Sequence, residues 1–193
     1  MSVLKILVIP GSIRAGSVNV RLAAAITREL AASHVDVTRI SLADHALPLY
    51  DGDVELKSGA PREAVNLKRL IGLQHGVAFV GPEYNASVAP LLKNAIDWIS
   101  RVRERGEERG SVFRNRVFAI ASASNRSSGG LHGLDALRQA LTLGCGAQVI
   151  PAQLAVANAD QAFGELDELK DSKDAEKLRL MAAQLIDIAQ RMM

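Results

Sequence analysis

The sequence predicts an α/β protein built on one parallel, five-stranded sheet with helices on both faces. Three observations lead there. Short apolar runs alternate with longer amphipathic segments along all 193 residues, the pattern of a parallel sheet covered on both sides. The runs are nearly continuous in apolar residues, as strands buried on both faces must be. Finally, two of them end in polar, Gly- or Pro-bearing loops that lead straight into a helix. Five strands joined by right-handed crossovers take the order 2-1-3-4-5. The length suits one domain, residues 1–193, with a full core.

The first strand is read at 4–10, through Lys5-Ile6-Leu7-Val8-Ile9-Pro10. A helix follows at 18–33, where Leu22, Ala23, Ile26 and Leu30 recur at helical spacing. The second strand lies at 35–40. Residues 41–60 carry Pro and Asp without periodicity and read as a long loop. A helix at 61–74 leads to the third strand, 76–81. Helices at 88–103, 130–144 and 173–192 complete the layers, with strands four and five at 116–122 and 148–151.

The loop after strand one is Gly11-Ser12-Ile13-Arg14-Ala15-Gly16-Ser17-Val18-Asn19. A strand, a Gly/Ser loop and a helix start form an anion site, because the first N–H groups of a helix point outward with partial positive charge. Ser12, Ser17 and Asn19 add short polar side chains, and Arg14 adds a planar cation. The P-loop is excluded, since Ser17 stands where its Lys must be. The dinucleotide fingerprint is excluded by Ile13 at its second glycine. A site for one terminal monophosphate remains, beside the simpler reading of Ser17 as a helix N-cap and Gly16 as a turn residue.

The second such junction runs Gly81-Pro82-Glu83-Tyr84-Asn85-Ala86-Ser87-Val88-Ala89-Pro90-Leu91-Leu92-Lys93-Asn94-Ala95-Ile96-Asp97-Trp98. In the predicted order it leaves strand three beside strand one, so both loops line the crevice at the switch point. The two segments together resemble the NAD(P)H-dependent FMN reductases, a flavodoxin-like family of quinone, chromate and azo-dye reductases. That family carries Gly-Ser-x-Arg-x-Gly-Ser-x-Asn after its first strand and Pro-Glu-Tyr-Asn before a Leu-Lys-Asn-Ala-Ile-Asp-Trp helix. The resemblance runs from about residue 4 to about residue 156.

The resemblance implies a flavodoxin-like three-layer sandwich that binds FMN and uses NADPH or NADH as co-substrate. It implies that Ser12, Ile13, Arg14, Ser17, Val18 and Asn19 hold the FMN phosphate end. Pro82, Glu83, Tyr84 and Asn85 would run along the ring. The loop Ser122-Ala123-Ser124-Asn125-Arg126-Ser127-Ser128-Gly129-Gly130 would close it, through Ser122, Ala123 and Ser124. From residues alone that third loop reads equally as a helix cap. The implied acceptor is quinone-like, and the implied assembly is a homodimer or homotetramer. Two departures stand out: His132 and Asp135 occupy positions where the family often has Arg and Tyr, and residues 101–116 are longer and more charged than usual.

Other chemistries find no support. A net charge of +2 without a basic stripe argues against nucleic acid. No apolar run approaches the ~18 residues of a membrane span, and no cleavable leader pattern opens the chain, so a cytoplasmic protein is expected. The His residues 34, 45, 75 and 132 lack metal-ligand spacing, so no metal is expected. Cys145, between Gly144 and Gly146, reads as a small filler rather than a nucleophile. Asp51 and Asp53 flanking Gly52 read as a turn, Trp98 as core or subunit interface, and 101–110 as a solvated helix end. No catalytic acid, base or nucleophile emerges, which fits a cofactor that carries the chemistry. A flavodoxin-like electron carrier and a non-catalytic flavin sensor stay open, though near-neutral charge disfavours the carrier.

Overall fold

The computed structural model describes residues 3–104 and 106–193. Five strands form the sheet: β1 (Lys5–Pro10), β2 (Asp36–Arg39), β3 (Gly76–Val80), β6 (Val117–Ala123) and β7 (Gln148–Val156). Their order is β2-β1-β3-β6-β7, all parallel, which is 2-1-3-4-5 among the five sheet strands. A separate antiparallel hairpin pairs β4 (Glu83–Tyr84) with β5 (Ser87–Val88). The helices are α1 (Val18–Ala32), α2 (Gly52–Ser58), α3 (Arg62–Gly72), α4 (Pro90–Arg101), α5 (Ser111–Arg114), α6 (Leu131–Gln139) and α7 (Ser172–Arg191).

Side chains alternate across each strand, so the apolar runs feed two cores. Ile6, Val8, Val80, Val117 and Leu154 face one side, where Leu22, Ile26 and Leu30 of α1 meet Met181 and Leu185 of α7. Leu7, Ile9, Val77, Phe79, Phe118 and Ile120 face the other. There they pack on Leu67 and Ile71 of α3, Leu92 and Ile96 of α4, and Leu134 and Leu137 of α6. Phe118 stacks on both Phe79 and Phe113 at 5.7 Å between centroids.

Three sequence expectations need correction. The 41–60 segment is not all loop. Ser41 caps a 3-10 turn at Leu42–Asp44, and Asp51 caps α2 by accepting the Asp53 N–H at 2.8 Å. The helix buries no residue, so it leaves no periodic signal. Strand β7 continues five residues past 151, through Pro151. The ladder to β6 shifts register between Phe118 and Ile120, and Pro is tolerated because β7 is an edge strand. Lastly, the charged 101–110 stretch is more than a solvated helix end. Glu104 and Glu107 both accept from Lys68, which is only 5% exposed, with Nζ 2.6 Å from Glu104. Arg105 lies outside the described residues.

That clamp has a pH signature. The Lys68 ammonium, then the Arg69 guanidinium, hold the Glu104 carboxyl down from 4.5 to about 2. A carboxyl depressed in the fold stabilises it above its unfolded pKa and ceases to do so as pH falls through the folded value. Wild-type protein is therefore expected to lose stability between about pH 4.5 and pH 2 faster than a Glu104→Gln variant. Urea midpoints taken across that range check it; parallel curves would exclude Glu104 from the acid transition.

Trp98 is fully buried within its own chain, donating its indole N–H to the Pro48 carbonyl at 2.8 Å and meeting Tyr50 edge-on. Cys145 is half-buried, and burial, with the Asp97 charge second, pushes its thiol pKa up.

Candidate functional site

Adjacent parallel strands β1, β3 and β6 release three loops at the same edge of the sheet. The loop bases are tightly joined. Gly11 N–H donates to the Val80 carbonyl at 2.8 Å, and Gly81 N–H to that of Ala121 at 3.0 Å. Leu92 of α4 presses on both glycines: a Cβ at Gly11 or Gly81 would lie 2.9 or 2.8 Å from its side chain.

In the first loop, Ser12 is half-buried, while Ile13, Arg14 and Ala15 are exposed. Gly16 adopts φ +68° in open space, a turn that favours glycine. It lets Ser17 N–H return to the Arg14 carbonyl at 3.2 Å. Ser17 occupies the N-cap of α1, and its carbonyl accepts from Val20 and Arg21. Its hydroxyl caps nothing, although the residue is only 4% exposed. Val18 and Asn19 open the helix, so their N–H groups have no intrahelical partner. Arg14 joins no ion pair among the described residues. The cap position is real; Ser12 Oγ accepts the Arg14 N–H at 3.4 Å, while the Ser17 hydroxyl and the Arg14 guanidinium are uncommitted.

The Asn19 side chain is placed differently. It is 2% exposed, and both ends of its amide are spent on one residue: Nδ2 donates to the Ala123 carbonyl and Oδ1 accepts the Ala123 N–H, each at 2.9 Å. The Asn19 main chain remains at the mouth of the loop; its side chain points into the sheet.

The second loop is mostly the hairpin. Asn85 (φ 51°) and Ala86 (φ 58°) both take the left-handed conformation of a tight two-residue turn. Pro82 is half-buried, Tyr84 is 55% exposed and Asn85 is exposed. Glu83 turns back instead, its Oε2 accepting the Gly133 N–H at 2.9 Å in the first turn of α6.

The third loop begins later than the sequence reading placed it. Ser122 and Ala123 belong to β6 and are buried, so only Ser124 of that trio sits in the loop. Ser124 N–H donates to the Val156 carbonyl at 3.0 Å, and its Oγ accepts the Arg126 N–H at 3.2 Å. The Ser122 hydroxyl is buried without a hydrogen-bond partner. Gly130 (φ +90°) covers it; a Cβ there would come within 2.1 Å of Ser122 Oγ. Sequence reasoning missed these ties, whose only trace is the spacing of Gly129, Gly130 and Gly133. No group of three or more His, Cys, Asp or Glu among the described residues could hold a metal ion. No helix among them is long and apolar enough to cross a membrane.

A family model described as NADPH-dependent FMN reductase matches residues 4–161, spanning all three loops. The chain belongs to that family. This family member is 33% identical over 185 residues to the NAD(P)H-dependent FMN reductase of Pseudomonas aeruginosa, covering 94% of each chain. It is 40% identical over 103 residues to the quinone reductase of Escherichia coli, and there it spans about half (53%) of each protein. Its fold matches FerB, a flavoenzyme NAD(P)H:(acceptor) oxidoreductase of Paracoccus denitrificans, with TM-score 0.78 at 23% identity over 98% of each chain.

The site accommodates FMN chemically. A dianionic phosphate needs N–H donors, hydroxyls and a cation, and the first loop leaves the helix N-terminus, Ser17 Oγ and Arg14 uncommitted.

Proposed function

We propose that this chain, as one FMN-binding domain, is a cytoplasmic oxidoreductase that passes reducing equivalents from NADPH or NADH to a quinone or other small electrophile. The observation that carries this reading is the uncommitted anion cradle of the first loop, set at the switch point of a sheet in a family of FMN reductases. Bound FMN would supply the hydride and electron exchange.

The chain's own residues would bind and orient. Arg14, Ser12, Ser17 and the main-chain N–H groups of Ile13, Val18 and Asn19 hold the phosphate. Pro82, Glu83, Tyr84 and Asn85 line one side of the ring with main chain and the exposed Tyr84 and Asn85 side chains. Ser122, Ala123 and Ser124 form the floor and rim on the β6 side. No general acid or base is assigned, because Glu83 is held by Gly133 and the three loops contain no other carboxylate. With Tyr84 and Asn85 exposed, the hairpin would leave the pocket accessible from solvent, which suits alternating donor and acceptor and a broad acceptor range. Association into a homodimer or homotetramer is part of the proposal; Leu131 (41%) and Leu143 (79%), exposed on and just after α6, are surfaces it could cover.

Steady-state kinetics with a nicotinamide donor and a quinone test the reading. One pocket used in turn gives parallel double-reciprocal lines. Donor alone should bleach the holoprotein anaerobically. Intersecting lines would mean a ternary complex, and absence of both turnover and bleaching would favour a flavin-binding sensor.

A further inference from the structure

Two side chains from the first and second loops are spent on main-chain groups at the two ends of the third. The Asn19 amide matches both main-chain groups of Ala123 with one donor and one acceptor, which neither Asp nor Leu can do. Both partners are buried, so losing the amide would strand an N–H and a C=O without water. An asparagine in the first turn of a helix gains nothing from the helix itself, and this one bonds 104 residues away. Just beyond, Ser124 is fastened to β7 by its N–H and to Ala159 by its carbonyl at 3.2 Å. The end of β6 is thus gripped by α1 on one side and β7 on the other.

Glu83 performs the matching task for the second loop. Its carboxylate takes a free N–H of α6, where the helix dipole favours an anion. Gly133 permits the approach, since a Cβ there would lie 2.9 Å from Glu83 Cβ. The hairpin is therefore fixed to the helix that follows the third loop.

We infer that Asn19 and Glu83 are positioning residues that lock the three cofactor loops into one frame by bracketing the third: Asn19 joins the end of the first loop to the last residue of β6, where the third loop leaves, and Glu83 joins the second loop to the first turn of α6, where the third loop ends. The purpose of the frame rests on the proposed flavin reading; the frame itself does not. Asn19 then contributes its backbone to the phosphate site, and its side chain works through Ala123.

Hydrogen exchange on the full-length chain, with and without FMN, tests the frame by a readout independent of flavin chemistry. Asn19→Ser should speed exchange of amides 122–126 about tenfold, leaving α7 unchanged. Glu83→Ala should do the same for 131–134 and the hairpin, while Glu83→Gln, which keeps an acceptor, should restore wild-type exchange. Titration with flavins adds the second arm. Asn19→Ser should weaken FMN and riboflavin by one common factor, about three- to tenfold. Loss for FMN alone with unchanged exchange would make the Asn19 side chain a phosphate ligand and overturn the frame. A rise in exchange spread equally over α7 would overturn it too, as a whole-fold effect. If Asn19→Ser does not fold, the Glu83 pair decides alone. A wild-type chain that binds neither flavin would refute the flavin reading while the exchange arm still judges the frame.

Discussion

Arg14→Ala should weaken FMN binding by about 1.5–3 kcal/mol, the worth of a charge-assisted hydrogen bond. Riboflavin, which lacks the phosphate, should bind as before. Thermal stability should not change, because the exposed Arg14 side chain joins no ion pair among the described residues. Arg14→Lys should recover part of the loss: the charge returns, but not the planar fork. Fluorescence titration of flavin-free protein with both flavins checks all of this. Equal losses for FMN and riboflavin would mean that Arg14 acts on the ring or on the fold.

Gly130→Ala should cost about 2–6 kcal/mol of stability. A left-handed residue without glycine's freedom costs about 1–3 kcal/mol, and overpacking adds about 1–3 more. Here φ is +90° and the new Cβ would sit 2.1 Å from Ser122 Oγ. Ser122→Gly removes that collision, so the double variant should regain the packing share and keep the backbone share. Urea unfolding of the two single variants and the double variant forms a closed cycle. Strict additivity would show that Gly130 is required for φ alone.

Much of this architecture is legible in the sequence because strands buried on both faces cannot disguise themselves. Ile6 to Ile9 and Val77 to Val80 are unbroken apolar runs, and α1 shows its buried stripe at Leu22, Ile26 and Leu30. Once order 2-1-3-4-5 is inferred, the site's location follows, since the loops after the first and third sheet strands must be neighbours. What escapes is whatever lacks a local period. Strands β4 and β5 have two residues each, and Ala86 hides their turn by adopting a conformation usually left to Gly or Asn. Helix α2 has no buried face, and Pro151 breaks the β7 pattern without ending the strand. The direction of Asn19 is set by Ala123, far along the chain. A polar residue in a motif announces that something is hydrogen-bonded there, not whether the partner is ligand or backbone.

The two margins of the sheet limit how copies of this chain can meet. At one, β2 is four residues long and carries Asp36 and Arg39. At the other, Pro151 deletes one amide from β7, and the register shift bends the strand beside it. Neither margin offers a flat row of unpaired amides and carbonyls on which a neighbour could zip. Fusion of sheets into a continuous ribbon, the common route from native protein to insoluble fibre, is blocked at both ends. Self-association is thereby left to side chains on helices and loops, where contacts are reversible and can be altered one residue at a time.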